Sequence, residues 1–211
     1  MSAQVVVLAG PSGSGKSRLC RRLGLPFVNL DDFYKDGDAP DLPRVMLAGD
    51  EEIVDWDDPA SWLCEEAAAA LEELCRDGTA DVPVYEIARN GRTGHRTVDI
   101  GAAPYFVAEG IFAQEVVALC RERGILAAAI CVRNHPVKTF WRRLTRDLRE
   151  RRKAPHVLLK RGWLLMRQEP RIVAHAVALG CEPMTSDEAY ARVTALTQPA
   201  RQGSDRPEAS G

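Results

Sequence analysis

None of the six cysteines (20, 64, 75, 120, 131, 181) forms a Cys-x-x-Cys pair, the sequence has no internal repeat, and no apolar run approaches membrane length. Each absence excludes a class. Without paired spacing, and with most of them in apolar or helical contexts, the cysteines read as small core residues in a reducing compartment. They do not suggest a disulfide framework or a zinc site. A spanning helix needs about 20 consecutive apolar residues, and the sequence has none. The N-terminal "VVVLA" is too short for a secretory leader and runs straight into glycines. The expectation is a cytoplasmic protein with no membrane partner. An excess of positive charge is also missing. Lys and Arg total 28 against 30 Asp and Glu, a formal charge of −2, so no stable nucleic-acid partner is expected.

What remains is ordinary globular material: 211 residues, 45% hydrophobic and 27% charged. That length suits one domain, taken here as 1–197, with an inserted lobe. The charges are unevenly placed. Asp31 to Asp77 hold sixteen acids against Lys35, Arg44 and Arg76, whereas Arg133 to Arg161 hold eleven Lys or Arg against Asp147 and Glu150. An acidic lobe facing a basic one suits a charged ligand between them; two solvated faces would look the same.

Apolar runs alternate with helical patterns. "QVVVLA" (4–9), "PFVNL" (26–30), "APYFVAEG" (103–110) and "ILAAAICV" (125–132) read as buried strands. "KSRLCRRLG" reads as a short helix ending at Gly24, 60–78 as a longer one stopped by Gly78, and "FAQEVVALCRERG" as a third. Residues 35–59 read as loop, and 79–102 as a hairpin-like insertion turning at "RNGRTG". An amphipathic helix is expected over 135–153, and a helical stretch over 156–179 interrupted by Pro170. A short segment at 181–184 and a helix near 186–196 follow, then a disordered tail over 198–211. This order predicts an α/β fold with a largely parallel sheet flanked by helices.

The chemistry begins at "GPSGSGKS" (10–17), which matches G-x-x-x-x-G-K-[ST] between a strand and a helix. Glycines let backbone N–H groups curl around phosphate oxygens, and the helix N-terminus adds partial positive charge. Gly10, Gly13, Ser14, Gly15, Lys16 and Ser17 are therefore the nucleotide-binding set. Lys16 reaches the β- and γ-phosphates, and Ser17 ligates Mg²⁺. The loop serves kinases, ATPases and GTPases alike; the absence of an N-K-x-D element lowers the GTPase reading.

Glu109, at the end of an apolar strand, stands where open α/β sheets bind ligands and can hold Mg²⁺ through water. Asp31, at the end of "PFVNL", stands on the same edge. A carboxylate there can accept the proton of an acceptor hydroxyl. A polar loop with an aspartate cap would read identically, and spacing alone leaves both open. Strand alternation would point Asp32 elsewhere.

"GPSGSGKS", "DDFY", "DWDDPASW", "VPVYEIARNGR", "VAEGIF" and "RRLTRDLRER" occur in an order and spacing that resembles the uridine kinase family. The resemblance runs from about residue 4 to 153. It implies transfer of the γ-phosphate of ATP or GTP to the 5′-hydroxyl of uridine or cytidine, with Mg²⁺. It further implies Asp31 as general base, Tyr34, Asp57 and Tyr85 as acceptor contacts, and Glu109 as the Mg²⁺-organising acid. The helix at 135–153 becomes part of a lid over 135–161, in which Arg143, Arg146 and Arg151 clamp phosphates. Helical geometry alone puts Arg142, Arg146 and Arg149 opposite the apolar stripe, on an ordinary solvated face, and Arg143–Asp147 and Arg146–Glu150 are ordinary i,i+4 pairs.

The departures cluster at the nucleobase pocket. Ile87 stands where the family has an aromatic ring and Asn90 where it has histidine, so Asn90 is the expected base contact. Arg161 replaces a glutamine, and Lys153 an arginine. Discrimination built on such hydrogen bonds falls steeply when the groups change. Kinase chemistry thus follows more safely than uridine specificity. Nicotinamide riboside, pantothenate or a sugar phosphate remain alternative acceptors, and a nucleotide-binding or nucleic-acid-associated protein a different class. Uridine kinases are often tetramers, so a homo-oligomer is compatible, although no interface can be read.

Overall fold

The computed structural model describes residues 2–46, 52–133 and 170–198. The expected lid (135–161), with Arg143, Arg146, Arg151, Lys153 and Arg161, lies outside the described residues, as does the expected tail beyond residue 198.

Five strands form one parallel sheet. They are β1 (Gln4–Ala9), β2 (Phe27–Asn29), β7 (Tyr105–Glu109), β8 (Leu126–Val132) and β9 (Glu182–Met184), in the order β2-β7-β1-β8-β9. Residues 5–9 of β1 are fully buried because both faces are covered. Side chains alternate across the pleat. Val5, Val7 and Ala9 pack with α2 (Cys64–Asp77) and α3 (Val117–Glu122). Val6 and Leu8 pack with Leu19 and Cys20 of α1 (Lys16–Leu23) and with Ala189 and Val193 of the last helix, α5 (Ser186–Thr197). Residues 170–178, here α4, are helical; the rest of the helical stretch expected over 156–179, up to residue 169, lies outside the described residues. The fold is therefore the expected α/β sheet with helices on both faces.

Local chemistry sets the ends of these elements. Gly24 (φ 67°) closes α1, and Gly78 (φ 78°) closes α2 with its N–H on the Leu74 carbonyl. The Thr185–Glu188 pair forms a reciprocal capping box at the start of α5. Five of the six cysteines are buried and none is in a disulfide. Burial is the first cause raising the thiols of Cys20, Cys120 and Cys181 to about 12.

Several boundaries differ from the sequence reading. Residues 35–59 are not all loop: β3 (Arg44–Met46) and β4 (Glu52–Val54) pair antiparallel. Their side chains are largely exposed, so no buried face left a period in the sequence. The helix expected from residue 60 begins at Cys64, because Asp58 caps a separate 3₁₀ turn over Pro59–Ser61. Within 79–102, β5 (Thr79–Glu86) pairs with β6 (Gly91–Asp99) around a 3₁₀ turn at Ile87–Arg89. "GRTG" thus lies in a strand, and the reversal falls at Asn90, with φ 53°. "PFVNL" is strand only over Phe27–Asn29. Leu30–Phe33 is a 3₁₀ turn capped by the Asn29 side chain, so Asp32 is turned away by the turn and not by strand alternation.

Candidate active site

The carboxyl ends of β2, β7 and β1 converge. Leu8 of β1 and Asn29 of β2 both pair with Glu109 of β7. From those three ends come the glycine loop, Glu109–Gly110 and the turn bearing Asp31.

Gly10, Gly13 and Gly15 have φ of 130°, 81° and 99°, values that side chains other than glycine seldom adopt. At Gly10 a Cβ would also collide with the carbonyl oxygen of Val132 at the end of β8. The loop thus presses against the sheet and delivers α1. Ser14 and Lys16 are buried, and the Lys16 ammonium donates to the carbonyl oxygens of Gly10 (2.7 Å) and Pro11 (3.4 Å). Ser17 is exposed on the first turn of α1. Glu109 is 8% exposed. Its charge raises the buried Cys20 thiol while Lys16 lowers it, so both lie within electrostatic reach of the same side chain. This arrangement fits a nucleoside triphosphate: a left-handed glycine cradle, a helix N-terminus and an ammonium at the loop. Ser17 and Glu109 supply hard oxygen donors of the kind Mg²⁺ takes alongside phosphates and water.

Asp31 is held from below. Its Oδ1 accepts the backbone N–H of Ile111 at 2.7 Å, and its own N–H donates to Asn29 Oδ1 at 3.2 Å. Gly110 makes this approach possible, because a Cβ there would lie 3.0 Å from both Asp31 Oδ1 and Leu30 Cβ. The turn is locked by Trp62 Nε1, which donates to Leu30 O at 2.7 Å, and by Leu63 N–H to Phe33 O at 3.0 Å. Asp32 is paired instead with Arg96 of β6 at 3.2 Å.

Beside Asp31 lies an aromatic cluster. The Tyr34 ring is 5.8 Å from Trp56, 5.6 Å from Tyr85 and 5.8 Å from Phe112; Trp56 and Tyr85 are 6.4 Å apart. Tyr34 donates its hydroxyl to the Trp56 carbonyl at 3.3 Å. Burial, then the charges of Asp31 and Asp57, push the Tyr34 phenol well above its ordinary value; burial and Asp36 raise Tyr85 less far. Asp57 is exposed, with its N–H on Asp55 Oδ1. Asn90 Oδ1 lies 3.5 Å from the Tyr85 hydroxyl, and its carbonyl accepts the Gly37 N–H at 2.8 Å.

The fold thus gathers two groups on one sheet edge: Gly10, Gly13, Ser14, Gly15, Lys16, Ser17 and Glu109 at the loop, and Asp31, Tyr34, Asp57, Tyr85 and Asn90 beside it. Ile87 is 77% exposed at the hairpin tip. Sequence reasoning passed over Trp56, Phe112, Gly110 and Arg92. Trp56 had a signal, a lone indole inside the acidic run "VDWDD". Gly110 and Arg92 had none, since their roles arise from contacts distant in sequence, with Leu30 and Asp31 for Gly110 and with Tyr34 for Arg92.

No family model matches the chain. Two curated Arabidopsis thaliana proteins, inorganic pyrophosphatases TTM2 and TTM1, match over 114 and 115 residues at 25% and 30% identity. The match takes in 52% of this chain but only 15% and 16% of theirs. The chain therefore spans about a sixth of the length of the curated relatives it matches. Among solved structures, a Silicibacter sp. TM1040 protein provisionally assigned as a fructose transport system kinase superposes with TM-score 0.54 at 18% identity, covering 88% of each chain. A Bacillus stearothermophilus protein provisionally assigned as a uridine kinase gives TM-score 0.45 at 18% identity, over 66% of this chain and 76% of that one. At 18% identity the likeness to the Silicibacter protein is one of fold alone: a parallel five-stranded α/β sheet flanked by helices.

Proposed function

We propose that the chain is a phosphotransferase that moves the γ-phosphoryl group of ATP, or GTP, to a hydroxyl of a small, ring-bearing acceptor, with the 5′-hydroxyl of uridine or cytidine as the leading candidate. One observation carries this reading: a backbone-anchored carboxylate, Asp31, stands between a phosphate loop and a cluster of three partly exposed rings. A phosphate site alone suits hydrolysis; a base beside an aromatic surface suits an acceptor.

In this reading Gly10–Ser17 cradle the phosphates and Lys16 bonds the β- and γ-oxygens. Mg²⁺, held through Ser17 and Glu109, would neutralise charge on those oxygens. Asp31 takes the acceptor's hydroxyl proton as its oxygen bonds to phosphorus; the bond to the β–γ bridging oxygen breaks and ADP leaves. Ile111 N–H orients Asp31 by one oxygen and leaves the other for the proton. Tyr34, Trp56 and Tyr85 offer a surface for a flat ring, with Asp57 at its edge to accept hydroxyl hydrogen bonds. Arg143, Arg146 and Arg151, which lie outside the described residues, would stabilise negative charge on the transferring group.

The names of the two Arabidopsis relatives favour a second reading, phosphoanhydride hydrolysis without an acceptor. One assay separates them. With Mg·ATP, ADP release that requires an acceptor, surveyed over nucleosides, nicotinamide riboside, pantothenate and sugar phosphates, supports transfer. Phosphate release from ATP or pyrophosphate that no acceptor stimulates supports hydrolysis. Asp31→Asn should reduce acceptor-dependent turnover by about 10²-fold or more while nucleotide still binds. Near-normal turnover in that variant would remove Asp31 as the base.

A further inference from the structure

Arg92 bonds to three separate parts of the acceptor side: Glu66, Tyr34 and Asp36. Its Nη1 and Nη2 donate to Glu66 Oε1 and Oε2 at 2.9 and 3.1 Å, a bidentate pair with α2. Its Nε donates to the carbonyl oxygen of Tyr34 at 3.2 Å, and its backbone N–H donates to Asp36 Oδ1 at 2.6 Å. One residue of the hairpin thus ties together α2 and the segment that follows Asp31.

A bulge puts it there. Val84 pairs with Gly94 but Tyr85 pairs with Arg92, which leaves Thr93 without a partner across the ladder. The extra residue sets Arg92 directly opposite Tyr85. Gly91 opens the path for Asp36, since a Cβ at Gly91 would sit 3.1 Å from Asp36 Oδ1. Tyr85 and Tyr34 are the two rings 5.6 Å apart. Arg92 is the cross-strand neighbour of the first and holds the main chain of the second.

We infer that Arg92, braced by Glu66, is a positioning residue that sets the spacing of the Tyr34 and Tyr85 rings and so tunes acceptor affinity. The inference rests on the kinase reading for its enzymatic consequence. With its guanidinium spent on Glu66 and Tyr34 O, Arg92 acts through the rings. Lysine cannot replace it: an ammonium is a point donor without the planar fork that engages both carboxylate oxygens and a carbonyl together.

The test uses the full chain carrying Arg92→Lys or, as a milder second variant, Glu66→Gln. Acceptor KM should rise about tenfold in Arg92→Lys and less in Glu66→Gln, with kcat and the ATP KM within about twofold of wild type. Deuterium exchange, measured without any acceptor, should speed up over residues 84–92 and stay unchanged over 4–17. An acceptor KM within twofold of wild type, or kcat and both KM values disturbed alike, would overturn the assignment. If the wild type turns over no acceptor, the kinase reading falls by itself. The exchange arm then still decides: unchanged protection of the hairpin sinks the brace, and selective loss upholds it.

Discussion

Replacing Gly110 by alanine adds one methyl group at the point where β7 passes under Asp31. The new Cβ would lie 3.0 Å from Asp31 Oδ1, 3.0 Å from Leu30 Cβ and 3.4 Å from Asp31 N. None of these neighbours is the free end of a long side chain. Leu30 is buried, and its carbonyl is pinned by Trp62 Nε1 at 2.7 Å. The 3₁₀ turn must therefore shift by a few tenths of an ångström, and the 2.7 Å bond from Ile111 N–H to Asp31 must lengthen. Overpacking of this kind costs about 1–3 kcal/mol, which in a domain this size lowers Tm by roughly 2–12 °C. Misplacing a proton acceptor by a fraction of an ångström should lower kcat by about 10- to 100-fold. The glycine loop is on another strand end, so the ATP KM should hold. Steady-state ADP release with the best acceptor, alongside a thermal melt, measures all three. A Gly110→Ala variant with wild-type kcat and wild-type Tm would refute both the crowding argument and the placement of Asp31.

Trp56→Ala should raise acceptor KM by about tenfold with little change in ATP KM, because it removes one of three mutually packed rings. An unchanged acceptor KM would take Trp56 out of the site. Tyr34 also supports a pH prediction. Its folded phenol ionises well above the ordinary value of 10.0. The stability this represents is fully present below pH 10 and is lost as pH climbs through the higher folded value. Tyr34→Phe should therefore melt less steeply with pH above 10 than wild type; parallel curves would contradict the burial argument. At neutral pH the same variant loses the 3.3 Å bond to Trp56 O, worth about 0.5–1.5 kcal/mol.

The parallel sheet was legible because its strands are buried on both faces and read as unbroken apolar runs, Val5 to Ala9 above all. The phosphate loop was legible because its glycines and Lys16 are contiguous. Asp31 and Glu109 could be placed on one edge by topology alone, since strand ends on one side of a parallel sheet must meet. The local devices were not legible. The turn at Leu30–Phe33 depends on Asn29, Ile111 and Trp62, of which only the first is near in sequence. The β3–β4 pair buries no face, so its residues show no alternation. The Thr93 bulge depends on which residues pair across the hairpin, and periodicity reports the faces of a strand, not its partners.

The sheet order β2-β7-β1 has a consequence for charge. The strand carrying the glycine loop and the strand leading to Asp31 are separated by β7, two interstrand steps or roughly 9–10 Å at the usual spacing. The loop that carries Lys16 and the turn that carries Asp31 therefore leave from strand ends that are not neighbours. With a strand between them, Lys16 rests on the carbonyls of Gly10 and Pro11, and Asp31 on a neutral backbone amide. β7 stands as a spacer between the protein's own cation and its own base.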